Sequence, residues 1–122
     1  MTEAFEKDIQ AMYAMADEGI ALNELIEAVL AVLSRHEDEL RGITHRYRLS
    51  AADTGYQKAF ALTDGRVSLL QEGDSTDVTI TGPEKNLLLV FQRKLAPLKA
   101  LVLGKIKVKG DKGALVELAK FL

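Results

Sequence analysis

Few residues of this chain have a type and spacing suited to catalysis or metal binding. It contains two histidines, His36 and His45, and no cysteine, which excludes a thiol nucleophile and a Cys-ligated zinc site. It has no H-E-x-x-H pair, no G-x-S-x-G elbow and no phosphate-binding loop of the G-x-x-x-x-G-K type. The acids at residues 37–39 fit a solvated helix face, and Asp64 and Asp74 fit turns. We therefore expect a protein that is not an enzyme and that uses no metal and no cofactor.

The most distinctive short pattern is LGKIKVKGD at residues 103–111, in which lysines alternate with Ile106 and Val108. A period of two predicts a strand with one wet side and one apolar side. Proteins that bind single-stranded nucleic acid interleave basic residues with aromatic ones, whereas the partners here are aliphatic. The net charge of −2 also differs from that of a typical nucleic-acid-binding domain. We expect no nucleic-acid partner and interpret the lysines as protection of an edge strand.

Length and composition fit a single domain over residues 1–122, with 48% apolar and 28% charged residues. The charge is uneven, since residues 1–41 have a net charge of −7 and residues 84–122 a net charge of +6. Such polarity is compatible with internal packing, with head-to-tail docking or with an anionic partner. The N-terminus lacks the apolar core of a secretory signal, and no apolar run approaches the roughly 20 residues that span a bilayer. We expect a cytoplasmic protein without a transmembrane segment.

The spacing of apolar residues predicts an α+β fold. Residues 3–17 form a first helix, and a second begins at Leu22 and runs on toward Gly42. The period then changes to two, which predicts a three-strand meander and a short fourth strand, DVTIT. Two short helices on either side of Pro97 precede the fifth strand, and Asp111 caps a last helix. The predicted architecture is a sheet with its helices gathered on one face.

The segment between Leu87 and Leu103 carries more aliphatic side chains than one amphipathic layer needs. The excess can be covered by a tight core, by an oligomer interface or by an apolar ligand in a cavity. The pattern by itself favours the core, and all three alternatives stay open at this point.

Three segments together resemble the sterol carrier protein type 2 family: DVTITGPE at residues 77–84, the apolar helix after it, and GKIKVKGD before a Leu-rich helix. The DGRV turn at residues 64–67 fits the same pattern, and the resemblance covers about residues 43–122. It implies a five-stranded, mainly antiparallel sheet with helices packed on one face, enclosing an apolar tunnel. Residues 22–122 would form this lipid-binding domain, and residues 1–21 would form an extra N-terminal helix.

The resemblance implies a non-enzymatic carrier that holds a fatty acid, an acyl-CoA, an isoprenoid or a sterol-like lipid in the tunnel, without a cofactor. The residues expected to contact the ligand are Phe60, Leu62, Leu88, Phe91, Leu98, Leu101, Val102, Ile106, Val108, Leu118 and Phe121. The cations expected near an anionic head group are Arg93, Lys94, Lys99 and Lys105. The alternative is a scaffold or self-association module whose apolar helices are buried against a partner protein, and a homodimer is compatible with either. The chain ends in KFL rather than a peroxisomal SKL, which favours a prokaryotic, cytoplasmic setting.

Overall fold

The computed structural model describes residues 2–92 and 94–121, which form an α+β fold. The elements in chain order are α1 (Glu3–Asp17), α2 (Leu22–Arg35), a 3-10 helix (Glu37–Leu40), β1 (His45–Ala51), β2 (Gln57–Thr63), β3 (Arg66–Leu69), β4 (Val78–Gly82), α3 (Glu84–Phe91), α4 (Pro97–Val102), β5 (Lys107–Gly110) and α5 (Lys112–Ala119). The five strands lie in the order β3-β2-β1-β4-β5. Strands β1 and β4 are parallel and the other neighbours are antiparallel. The predicted mainly antiparallel sheet is confirmed.

The strand register decides which side chains point toward the helices. Tyr47 of β1 is paired with Phe60 of β2 and Val78 of β4. Leu49, two residues further along β1, is paired with Lys58 and Ile80. Because directly paired residues share a face, all of these side chains lie on the inner face of the sheet. The Tyr47 hydroxyl donates to the Ala114 carbonyl of α5 at 2.9 Å, which fixes this face as the one that the helices cover.

Helix α1 is part of the hydrophobic core. Its N-terminus is capped by Thr2, whose hydroxyl accepts a hydrogen bond from the Phe5 amide. Phe5 is fully buried and stacks on His36 with the ring centroids 4.8 Å apart. His36 Nε2 is in turn 2.6 Å from Asp8 Oδ2, so helix α1 is tied to the end of α2 by both packing and a charged hydrogen bond.

Helix α2 ends at Arg35, so the prediction that it continues toward Gly42 is wrong. A 3-10 turn follows instead, and it places Leu40 in the core with no exposed surface. The break also brings the Glu37 carboxylate to the edge of the sheet, where it accepts from the Val67 amide at 3.0 Å. The acidic run EDE is also compatible with a continuing helix. The sequence therefore did not predict the burial of Leu40 or the hydrogen bond of Glu37.

The GKIKVKGD segment has the predicted arrangement. Its three lysines are exposed, and Lys107 and Lys109 lie on β5, which is an edge strand. Ile106, directly before the strand, is buried. Gly110 ends the strand with φ +95°, and a side chain there would collide with the Asp77 carbonyl. Asp111 then caps α5 by accepting from the Ala114 amide at 3.3 Å. The final helix is thereby turned back under the inner face of the sheet.

Candidate functional site

A cavity of about 330 Å³ lies between the inner face of the sheet and helices α2, α3 and α5. This volume falls within the range of roughly 300–1,000 Å³ that is typical of small-molecule sites. The wall is apolar except for two tyrosines, one lysine and one arginine. Its residues are Tyr13, Ile26, Val29, Leu30, Tyr47, Arg48, Leu49, Lys58, Phe60, Ile80, Leu87, Val90, Phe91, Leu95, Ala96, Pro97, Ile106, Leu115, Leu118 and Ala119.

The sheet side of the cavity contains a pair of stacked aromatic rings. Tyr47 and Phe60 face each other across β1 and β2 with ring centroids 5.2 Å apart. The Tyr47 hydroxyl is bonded to Ala114, so only the ring of this residue is offered to a ligand. Burial, assisted by the nearby Glu117 carboxylate, raises the pKa of Tyr47 and keeps it a neutral donor.

The helix side of the cavity uses residues one turn apart. On α3, Leu87, Val90 and Phe91 recur at i, i+3 and i+4 and line the cavity together. Leu88, which lies between them, is half-buried and packs on the core instead. The aliphatic side chains of α3 therefore face both the cavity and the core, which accounts for part of the excess of apolar residues between Leu87 and Leu103.

Lys58 is the charged group at the inner face of the sheet. Its Nζ lies 3.0 Å from Glu27 Oε1, and its side chain is 24% exposed whereas that of Glu27 is 62% exposed. The other basic lining residue, Arg48, donates to the Asp74 carbonyl at 2.8 Å. Tyr56, two residues before Lys58, has a buried hydroxyl with no hydrogen-bond partner among the residues that the structure describes. Burial, followed by the Glu27 carboxylate, raises the pKa of Tyr56.

The sequence of the chain matches that of a known protein family. The sequence profile of the SCP-2 sterol transfer family matches residues 22–122. The chain belongs to the SCP-2 sterol transfer family. The resemblance inferred from GKIKVKGD and DVTITGPE is thereby confirmed, and the chain is a lipid-binding domain of the sterol-transfer type. A search of curated protein sequences found no match.

Solved structures share the fold at low sequence identity. Sterol carrier protein 2 like 2 from Aedes aegypti is 24% identical with a TM-score of 0.63, and the match covers 89% of this chain and 98% of that one. A solution structure of the palmitated form of that protein is also 24% identical, with a TM-score of 0.64 over 83% and 93% of the two chains. The sec-alkylsulfatase Pisa1 from a Pseudomonas species is 23% identical with a TM-score of 0.68, over 80% of this chain. The chain spans only 16% of the length of that sulfatase, so the fold also occurs as part of a larger enzyme.

Four residues that the sequence predicts as ligand contacts line the cavity: Phe60, Phe91, Ile106 and Leu118. Phe60, Phe91 and Leu118 come from β2, α3 and α5, Ile106 lies directly before β5, and the fold brings the four together. The other seven lie off the wall, in three kinds of place. Leu62, Leu88, Leu101 and Val108 lie in the core or pack against it, Leu98 and Val102 are exposed, and Phe121 stacks on Phe5.

The cations predicted for a head group lie outside the cavity wall. Lys94, Lys99 and Lys105 are exposed, and Lys94 Nζ is 3.9 Å from Asp17 Oδ1. The fourth predicted cation, Arg93, lies outside the residues that the structure describes. Two charged residues do line the cavity, Arg48 and Lys58, and neither was predicted from the sequence. For Lys58 the signal was its position on β2, two residues before Phe60 and therefore on the same face of the strand.

The sequence analysis also missed the contribution of α2. Ile26, Val29 and Leu30 line the cavity, and the signal for this was the unusual width of the apolar stripe on α2. A stripe wider than one packing contact can face both the core and a cavity.

Neither a metal site nor a membrane-spanning helix is found among the described residues. In residues 2–92 and 94–121, no three His, Asp or Glu side chains are grouped so that they could hold a metal ion. No helix in the same part of the chain is long and apolar enough to cross a membrane.

Proposed function

We propose that this protein is a non-enzymatic carrier that holds the apolar chain of one lipid in the cavity. The observation that carries the proposal is the cavity itself, whose wall is aliphatic and aromatic apart from a few polar groups and is built from all five α-helices and three of the strands. A wall of this kind suits a hydrocarbon chain, because its aliphatic and aromatic side chains need no hydrogen bond from the ligand.

Burial of the chain supplies the affinity. Each methylene transferred from water to an apolar wall contributes about 0.8 kcal/mol, so ten methylenes contribute about 8 kcal/mol before the entropy of association is subtracted. The stacked Tyr47 and Phe60 rings and the buried α2 stripe are already in place, which keeps the cost of ordering the protein low. Among the predicted contacts, the four residues on the wall are the ones we propose to touch the chain.

The polar end of the lipid is proposed to lie at Lys58. This lysine is partly shielded, and its partner Glu27 is mostly exposed and free to turn into solvent. An anionic end group such as a carboxylate can therefore replace Glu27 on the ammonium group. A fatty acid fits this description best, and the palmitated form of the Aedes aegypti relative supports the same choice. An isoprenoid or sterol-like lipid would use the same wall without this ion pair.

A matched pair of substitutions on α3 tests the proposal. Val90→Trp places an indole inside the cavity, while Leu88→Trp adds the same group two residues earlier on α3, off the wall. We expect the purified protein to bind a fluorescent fatty acid, Leu88→Trp to bind it with similar affinity, and Val90→Trp to lose at least about ten-fold. If the parent protein binds no fatty acid or other lipid, the carrier proposal fails and the scaffold alternative is favoured. Equal binding by both folded variants would place the ligand elsewhere.

A further inference from the structure

Three large aliphatic side chains project from the protein next to the cavity. Leu98 is 53% exposed, Val102 is 84% exposed and Leu103 is 55% exposed. Leu98 and Val102 are four residues apart on α4 and lie on one face of the helix, with Leu103 directly after it. We call these three residues the α4 patch. A cluster of exposed aliphatic residues on a small domain is typical of an interaction site.

The α4 patch is not a poorly packed part of the core. Ala100, on the opposite face of α4, has no exposed surface, and Leu101 packs against the core. The Ala100 carbonyl also accepts from the Lys105 amide at 2.9 Å, which holds the chain after the helix against it. Helix α4 is therefore anchored on one side and presents the patch on the other.

The segment of sequence that contains the patch carries charge of a single sign. Residues 85–110 contain no Asp or Glu, and their cations are Lys85, Arg93, Lys94, Lys99, Lys105, Lys107 and Lys109. Lys99 and Lys105 are adjacent to the patch in sequence and exposed. Within residues 2–92 and 94–121, neither of these two lysines forms an ion pair with an acid. Their charge is therefore available to an anionic surface.

We propose that the α4 patch docks this protein on an anionic lipid bilayer. The three aliphatic side chains enter the boundary between head groups and acyl chains, and the ammonium groups of Lys99 and Lys105 meet lipid phosphates or carboxylates. Both components of the patch are needed, since a short apolar insertion and two cations are each weak on their own.

The bilayer fits the patch better than a second copy of the chain does. The acidic surface of this protein includes α1, whose exposed side carries charged residues such as Glu3, Glu6 and Asp17. That surface complements the charge of the lysines, but it would place polar groups against the aliphatic side chains of the α4 patch. Burying the patch in this way would bring little stabilisation. A bilayer offers both negative charge and an apolar layer beneath it.

Docking through α4 would place one wall of the cavity against the membrane. Leu95, Ala96 and Pro97 line the cavity and lead directly into α4. A lipid could then pass between the bilayer and the cavity over a short path. The docking itself does not depend on the proposed carrier function, because the patch and its lysines are exposed whether or not a lipid is bound.

Sedimentation with vesicles tests the proposal on the full chain. We expect binding to phosphatidylcholine vesicles that contain about 30% phosphatidylserine, weak binding to phosphatidylcholine alone, and loss of binding as salt is raised. Lys99→Gln with Lys105→Gln should weaken binding about 25-fold, at about five-fold per lysine. Leu98→Ser with Val102→Ser and Leu103→Ser should weaken it about ten-fold or more.

Two control variants separate this patch from general surface properties. Leu69→Ser removes an aliphatic side chain that is 61% exposed on β3, and Lys7→Gln removes a cation from the acidic α1. Both should bind vesicles like the parent protein. No binding to anionic vesicles, or equal binding by the patch variants and the controls, would overturn the proposal. Dimerisation that is lost in the patch variants, without vesicle binding, would identify a second copy as the partner instead. Fatty-acid binding by the patch variants should be unchanged, which separates this result from the carrier test.

Discussion

Lys58 should give the cavity a preference for lipids with an anionic end, and Lys58→Met should remove that preference. Methionine keeps an unbranched apolar stem of similar length, so the wall is preserved while the charge is lost. In the parent protein the ammonium group is 3.0 Å from Glu27, and the exposure of the Glu27 side chain lets it leave without being stranded in the interior. The substitution therefore isolates the contribution of one charge.

The expected magnitude follows from exchanging one ion pair for another. A hydrogen bond to a charged group contributes about 1.5–3 kcal/mol, and giving up the pair of Lys58 with Glu27, whose acid is mostly exposed, costs about 0.2–1 kcal/mol. The net preference for a carboxylate is then about 1–2 kcal/mol, which is about 5–30-fold in Kd. Glu27→Gln should increase this preference, because it removes the competing acid.

The assay is displacement of a fluorescent fatty acid by hexadecanoate and by hexadecanol, which have the same chain and differ in charge. The parent protein should favour hexadecanoate by the factor given above, and Lys58→Met should bind the two with nearly equal affinity. Lys94→Met is the matched control, because Lys94 is 58% exposed and lies off the cavity wall.

A parent-like preference in Lys58→Met would refute the assignment of the head group to Lys58. A loss of preference in Lys94→Met alone would return the head group to the region that the sequence analysis indicated. If neither ligand displaces the probe, the carrier function fails rather than the head-group assignment.

Three further predictions concern stability. Tyr47→Phe should lower the free energy of unfolding in urea by about 1–2 kcal/mol, because the bond to the Ala114 carbonyl is lost. Tyr56→Phe should leave it unchanged or raise it, because that hydroxyl is buried without a hydrogen-bond partner among the described residues. The pKa of Tyr47 in the folded protein is above its ordinary value of 10.0, so its contribution to the free energy of unfolding should be complete below pH 10 and decline above it. The stability of Tyr47→Phe should therefore fall less steeply than that of the parent protein as the pH is raised above 10. The hydrogen bond from His36 lowers the pKa of Asp8 below 3.8, so the contribution of Asp8 to the free energy of unfolding should be complete above that pH and be lost on acidification. Asp8→Asn should therefore lose less stability than the parent protein when the pH is lowered.

Local patterns in the sequence were sufficient to predict most elements. The Asp64-Gly65 turn has positive φ at both residues, as a tight hairpin requires, and it sets the antiparallel pairing of β2 with β3. The Asp111 cap and the alternation of lysines with Ile106 were likewise local and were predicted correctly. Each of these features depends on residues within a few positions of one another.

The cavity wall could not be predicted in the same way, because core and cavity residues have the same chemistry. Phe60 and Leu62 lie on the same face of β2, yet Phe60 lines the cavity and Leu62 is part of the core. On α3, Val90 lines the cavity and Leu88 packs against the core, although both are aliphatic. The distinction depends on where α2 and α5 pack, which follows from contacts between residues far apart in sequence. The sequence analysis treated the exposed Val102 as a buried contact for the same reason.

Native mass spectrometry of the protein as purified is the most direct test of the central claim, that the cavity holds one lipid chain. The account predicts a mass above that of the polypeptide by one lipid, an adduct that disappears after organic extraction and returns on addition of a fatty acid. The Val90→Trp variant should carry no such adduct. Bare polypeptide in every preparation, with no uptake of fatty acid by the extracted protein, would contradict the account.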